Sequence, residues 1–198
     1  DYGLTMARPR TQPNAPSTRS KILNAARIEF STQGIAAPLD AIAKRCGIRR
    51  PSLLHHFPSK QALIAAVTDD ILGKARERLI QAVGAKGGDY AQTMQAIIRV
   101  LRDLEAEEQG VAGVLLHALM SSDTDNPVSG KMTEFIDIIF ATVLMAGNPS
   151  GKPKVELRAA IAHLVMGELT RVALASSADA IWGEGDGVDQ LFRSYFLP

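Results

Sequence analysis

Residues 39–63 constrain the fold most, because they encode two short helices around a tight turn. Gly47 stands where the first helix must end, and a residue without Cβ adopts the left-handed conformation at little steric cost. Pro51 suits the first turn of the next helix, where its missing N–H has no partner to lose. The apolar residues of the first helix recur at helical spacing, at Leu39, Ile42, Ala43 and Cys46.

The second helix divides into an apolar face and a polar face. The inward face of the second helix is expected to consist of Leu53, Leu54 and Phe57. The opposite side carries basic and polar groups that are free to meet a partner. A helix of this kind, crossing another over a glycine turn, predicts a helix-turn-helix that reads the major groove of DNA. The residues predicted to contact base edges are Arg50, Pro51, Ser52 and His55.

At these positions the chain resembles the TetR family of transcriptional regulators. The resemblance covers roughly residues 18–67 and implies an all-α, two-fold homodimer that binds a palindromic operator. Two departures concern phosphate contacts: Leu54 stands where the family usually has Tyr, and Ala37-Pro38 stands where it usually has a capping Ser or Thr. The matching pattern is Ile42-Ala43, Gly47-Ile48, Ser52-Leu53, His56-Phe57-Pro58-Ser59-Lys60 and Leu63.

Charge is divided unevenly along the chain. Residues 1–62 carry a net charge of +7 and the remainder carries −6, although the whole 198-residue chain is near neutral. A basic first third on an acidic remainder is typical of a nucleic-acid-binding domain joined to a non-binding one. Arginine matches the O6 and N7 acceptors of guanine, whereas basic groups near helix ends suit phosphate. The residues predicted to contact DNA phosphates are Thr18, Lys44, Arg49, His56 and Lys60.

The rest of the chain shows helical periodicity throughout and no sustained strand pattern. This pattern predicts an all-α protein, and the resemblance implies a three-helix helix-turn-helix domain followed by a helical ligand-binding and dimerisation domain. The expected division is a flexible basic arm at 1–17, a DNA-binding domain at 18–62, and an effector-binding and dimerisation domain at 63–198. Helices are expected over Thr18–Gln33, from Ser59 to Val83, from Tyr90, over 111–120, 128–145 and 155–176, and over 188–196.

Methionine and aromatic residues in the second domain suit a pocket for a small, largely apolar effector, because methionine adapts to irregular shapes. Phe140 and Trp182 are among the residues that would suit such a pocket, and plain core packing is the alternative for each of these residues. His117 is expected either as a core histidine or as the polar handle of a ligand. The candidate pocket residues are Met94, Ile98, Leu101, His117, Met120, Phe135 and Ile139.

Dimerisation is expected through helix eight and the last helix, since two helices from each subunit make the four-helix bundle that the resemblance implies. One helix-turn-helix reads few base pairs, and a two-fold pair doubles the site. The candidate interface residues are Ile161, Leu164, Val165, Val172, Leu191, Phe192 and Tyr195.

Other functional classes find little support in the sequence. No G-x-S-x-G, phosphate loop, H-E-x-x-H or paired cysteine appears, so neither an enzyme nor a bound cofactor or metal is expected. Cys46 is the only cysteine, which favours a reducing, cytoplasmic location, and no segment is apolar and long enough to suggest a membrane span. The nearer alternative is a DNA-binding regulator of the same fold without a small-molecule effector.

Overall fold

A computed structural model describes residues 16–84, 89–120, 127–147, 151–174 and 177–183, with residues 190 and 194. Regular structure in these residues is entirely helical, which confirms the predicted all-α class. Most of the predicted arm, and Leu191, Phe192 and Tyr195 of the predicted last helix, lie outside the described residues. The helices are α1 (Thr18–Gln33), α2 (Leu39–Arg45), α3 (Arg50–His56), α4 (Lys60–Val83), α5 (Tyr90–Glu107), α6 (Val111–Leu119), α7 (Pro127–Met145), α8 (Lys154–Leu174) and α9 (Ala178–Trp182).

Side-chain caps explain where the longer helices begin. The hydroxyl oxygen of Ser17 accepts from the Ser20 N–H at 3.1 Å, and that of Ser59 accepts from the Ala62 N–H at 3.0 Å. Each bond satisfies an N–H that the first helical turn leaves without an intrahelical partner. The bounds predicted for α1 and α4 are confirmed, whereas the short helix α9 was not predicted.

Helices α1–α3 form a unit that we call the head. The turn after α2 places Gly47 at φ +69°, as its predicted left-handed role requires. Ile48 follows, and its N–H donates to the Ala43 carbonyl at 3.0 Å, but its side chain is only partly buried rather than fully inserted. The core of the head consists of fully buried side chains, which include Ile22, Phe30, Ile42, Leu53 and Leu63 from the start of α4.

An ion pair with a buried carboxylate also joins two helices of the head. Glu29 on α1 is 5% exposed, and its Oε1 accepts from the Nε of Arg45 on α2 at 2.6 Å. Gln33 donates to the other carboxylate oxygen. A buried carboxylate requires such partners, because an unpaired charge in the interior is strongly destabilising. The pair therefore fixes α2, on which α3 rests, against α1.

Helices α4–α9 form a second unit, the body, in which α4 packs against α1 of the head and against α5 and α7. Glu168 on α8 is 2% exposed and accepts two hydrogen bonds from Arg102 on α5, at 2.9 and 3.1 Å. This bidentate pair ties α5 to α8 inside an otherwise apolar core. Within the described ranges, no helix has the length and apolar character that crossing a membrane requires.

The head meets the body chiefly where α1 packs on α6. Gly110 precedes α6 at φ +93°, and a Cβ added there would lie 2.4 Å from the Cβ and Oγ of Ser31 on α1. The two backbones approach this closely only because Gly110 has no side chain. Beside this contact, Glu108 accepts from Lys74 of α4 at 2.7 Å and lies 3.7 Å from the Nε of Arg27 on α1.

Candidate nucleic-acid interface and ligand cavity

Helix α3 presents its polar side to solvent. Leu53 and Phe57 are 0% and 3% exposed, so they anchor the helix on the head. This anchoring turns the opposite side outward, as the sequence pattern predicts. All four residues predicted to contact bases are exposed, and they form one surface that we call the reading face: Arg50, Pro51, Ser52 and His55. Their role in reading DNA stays a prediction.

Arg50 does not stand free on this face. Its Nη1 lies 3.1 Å from Oδ2 of Asp40, which is in the first turn of α2. Both side chains are more than half exposed, at 53% and 66%. This pair was not predicted, because the two residues belong to different helices and their contact depends on how α2 and α3 cross.

The residues predicted to contact phosphate differ in their exposure. Thr18, Lys44 and Arg49 are exposed, whereas His56 and Lys60 are partly buried. Partial burial lowers the pKa of Lys60, because a less hydrated ammonium is less stable in its charged form. An approaching phosphate would offset that cost, since it supplies an opposite charge to the ammonium group.

One basic residue near this surface was missed. The guanidinium of Arg19 on α1 lies 5.0 Å from the ring centroid of Phe57, the residue that ends α3. A cation over an aromatic face is attracted by the ring quadrupole, so the contact holds positive charge beside the last turn of α3. Periodicity cannot reveal this contact, because the two residues are brought together only by packing.

The body contains one described cavity lined almost entirely by apolar side chains. It lies between α4, α5, α6, α7 and α8, and in this conformation it has room for at most about one water molecule. Leu101 and Phe135, two of the predicted pocket residues, line it. Met94, Ile98 and Ile139 are buried in the core but are not among the residues that line this cavity.

Two of the predicted pocket residues point elsewhere. Met120 follows α6 and is 82% exposed, and His117 is also exposed. The prediction that they line a pocket inside the body is wrong, because the last turn of α6 emerges from the core toward the head. A Cβ added to Gly34 would lie 3.6 Å from Nδ1 of His117, so this ring rests against the end of α1. Trp182, at the end of α9, is 37% exposed.

Among the described side chains that line the cavity, Glu105 is the charged one, and its role was not predicted. Its two carboxylate oxygens accept from the N–H groups of Gly110 and Ala112, at 2.5 and 2.7 Å. These N–H groups open α6, and Gly110 has no side chain to cap them. Glu105 thus links the cavity wall to the helix that contacts the head.

The predicted dimer residues of α8 divide between two faces. Ile161 and Val165 are fully buried within the subunit, so the prediction that they form the interface is wrong. Leu164 and Val172 are partly buried and pack against the same core. The side of α8 that faces outward is exposed at His163, and a dimer through this helix would have to use that side.

The fold and the exposed reading face define a class: an all-α protein whose head contains a helix-turn-helix. Residues 22–67 match the family model for bacterial regulatory proteins of the tetR family. The match spans most of α1 to the first part of α4, so the chain resembles this family in its head. The family is one of regulatory proteins.

Two curated relatives extend the similarity beyond the head. The HTH-type transcriptional regulator UidR of Escherichia coli (strain K12) is 31% identical over 130 residues, which are 63% of this chain and 65% of that protein. The HTH-type transcriptional repressor KstR2 of Rhodococcus jostii (strain RHA1) is 26% identical over 166 residues, or 79% of this chain and 78% of that protein. The match to UidR thus leaves about a third of its length uncovered.

Solved structures share the fold at low identity. A transcriptional regulator from Rhodococcus sp. Rha1 has a TM-score of 0.68 at 19% identity, covering 82% of this chain and 87% of that chain. The transcriptional regulator FadR from Bacillus subtilis, solved in complex with stearoyl-CoA, has a TM-score of 0.65 at 19% identity, covering 83% and 98%. These likenesses concern the architecture of head and body.

Proposed function

We propose that this protein is a transcriptional repressor that binds a palindromic operator as a homodimer and releases it when a small, largely apolar effector binds the body. The observation that carries the first part is the reading face, where Arg50, Ser52 and His55 are exposed on a helix fixed from behind by Leu53. A repressor role is supported by the similarity to KstR2, which is described as a transcriptional repressor. Such a protein works beside the chromosome, in the cytoplasm.

The test of DNA recognition is selection of binding sites from random duplex DNA, followed by titration of the selected duplex. Arg50→Ala should lose about 1–3 kcal/mol on that duplex and relax the preference at one base pair. Lys60→Ala should instead weaken binding to every sequence and reduce the salt dependence by about one unit of slope. Uniform losses with the same change of slope in both variants would contradict the base-reading role of Arg50.

A homodimer is proposed because two heads are needed to read a palindrome. The outward side of α8, around Ala159 and His163, is the surface that we assign to the partner subunit. Ala159→Arg should yield monomers that keep their helicity and lose operator binding. Light scattering measures the mass, and the control is Glu134→Arg on the exposed side of α7. A dimer that persists with Ala159→Arg would move the interface elsewhere.

The effector is proposed to enter the cavity that Leu101 and Phe135 line, by moving its apolar walls apart. Support comes from the cavity's position between α4 and α6, the two body helices that contact α1. The coupling should be on the order of 1–3 kcal/mol and reciprocal, so that operator DNA weakens the effector by the same factor. Calorimetric titration of an identified ligand with and without operator tests this.

Equal ligand affinities in those two titrations would favour the alternative, a DNA-binding regulator of this fold without an effector. The small volume of the closed cavity supports that alternative. Phe135→Arg separates the two, because it should abolish induction by the ligand while leaving operator affinity intact. The change must be accompanied by a melting curve, since Phe135 is 4% exposed and contributes to the core.

A further inference from the structure

The head carries few acidic groups, and they differ in their surroundings. Within residues 16–62 the acids are Glu29 and Asp40. Glu29 is buried and paired with Arg45, so it serves the packing of α1 on α2. Asp40 has a side chain that is 66% exposed. Asp40 is thus the exposed acid among the described residues of the head, whose other exposed charges are positive. In the proposed complex this surface faces DNA, which is a polyanion.

The stability of the head does not explain the contact between Asp40 and Arg50. Their ion pair is largely solvated, and pairs of this kind contribute little to folding. Asp40 does lie in the first turn of α2, where a carboxylate interacts favourably with the helix dipole. That effect would be the same without Arg50, so it does not account for the 3.1 Å contact between the two side chains.

The contact does constrain the guanidinium of Arg50. Arginine has five N–H donors, and the bond to Asp40 uses Nη1 and leaves the other nitrogens free. Arg50 begins α3, at the end of the reading face, so the contact with Asp40 favours one position of the guanidinium before DNA arrives. A base edge offers neutral acceptors, which the remaining donors can bind without displacing the carboxylate.

A phosphate group makes a different demand. It is an anion, so it is repelled by Asp40 and must compete with that carboxylate for the same guanidinium. A paired Arg50 therefore contributes little net charge to a complex held only by phosphates, which dominate binding to non-specific DNA. The same pair leaves contact with a guanine edge available.

We propose that Asp40 is a specificity-determining positioning residue: it holds Arg50 for a base edge and withholds it from the phosphates of unrelated DNA. The inference rests on the proposed function, since it requires Arg50 to read a base. Loss of the carboxylate should free the guanidinium, so that non-specific binding becomes tighter while the discrimination between sequences falls.

The experiment compares the selected operator with a scrambled duplex of equal length, by fluorescence anisotropy over a range of salt. Asp40→Asn keeps the shape of the side chain and removes its charge. It should tighten binding to the scrambled duplex about 3–10-fold and steepen the salt dependence there by about 0.9, as one phosphate contact is gained. Operator affinity should change less, so that the ratio of the two affinities falls at least about threefold.

Three further proteins make the result specific to the pair. In the Arg50→Ala background, Asp40→Asn should leave both the affinity ratio and the salt slope unchanged. Asp40→Glu keeps the charge and should restore most of the ratio. Glu77→Gln removes an exposed acid on α4, outside the head, and controls for net charge. Circular dichroism checks that each variant keeps its helicity.

An affinity ratio that Asp40→Asn leaves at the wild-type value would overturn the inference. So would an equal fall of the ratio in the Arg50→Ala background, because Asp40 would then act through the general field of the head. Failure of the proposed function looks different: the wild-type protein would show no preference for any selected duplex, before any variant of Asp40 is compared.

Discussion

Replacing Gly110 by alanine tests the junction between head and body. The new Cβ meets two costs: the left-handed backbone at φ +93°, about 1–2 kcal/mol for a residue with a side chain, and overlap with Ser31 at 2.4 Å. Overpacking of a close contact costs typically 1–3 kcal/mol. Gly110→Ala should therefore lose about 2–5 kcal/mol of unfolding free energy, measured by urea denaturation.

A matched glycine separates these two costs. Gly147 lies two residues after α7 at φ +106°, and a Cβ added there meets no atom within 4 Å. Gly147→Ala should lose only the backbone share, about 1–2 kcal/mol. The difference between the two variants then measures how tightly α6 is pressed on α1, and Ser31→Gly should recover part of it. Equal losses at both glycines would refute the reasoning.

Three other changes address single contacts. Glu105→Gln keeps one acceptor for the first turn of α6 and should cost about 1–2 kcal/mol in a melting experiment, because the charge-assisted bonds to Gly110 and Ala112 are lost. Glu168→Gln should lower the unfolding free energy by about 2–3 kcal/mol, less than the loss expected on breaking a fully buried ion pair, since its partner Arg102 is partly exposed. An unchanged free energy in urea denaturation would show that the pair contributes nothing. DNA affinity should fall as pH rises through the lowered pKa of Lys60, because only the ammonium form attracts phosphate. In Lys60→Ala, anisotropy titrations should show a weaker dependence of DNA affinity on pH over that range.

The head was predictable because its signals are local. Ser59 marks a helix start, Gly47 marks a turn, and Leu53 with Phe57 shows which side of α3 is buried. Each of these depends on residues within one turn of one another, where steric and hydrogen-bonding preferences act directly. The outward position of the reading face follows from the same pattern.

The body was less predictable because its signals are ambiguous. Helix α8 is apolar on more than one side, so periodicity could not show that Ile161 and Val165 face the core while His163 faces solvent. His117 was expected inside for a similar reason, since its neighbours on α6 are apolar. Ion pairs such as Arg102 with Glu168 join residues far apart in the chain, and only the packed fold shows them.

Helix α4 runs as one continuous helix from the head into the body. Its 24 residues span roughly 36 Å, with Lys60 beside the reading helix at one end and Leu79 buried in the body near the other. A rotation of about 5° around the body end would swing the head end by roughly 3 Å over that length. In a two-fold dimer the displacements of the two heads add, so the distance between the heads would change by roughly 6 Å. Successive turns of the major groove lie about 34–36 Å apart. Movements too small to disturb the core at Leu79 would thus be magnified into a misfit on DNA.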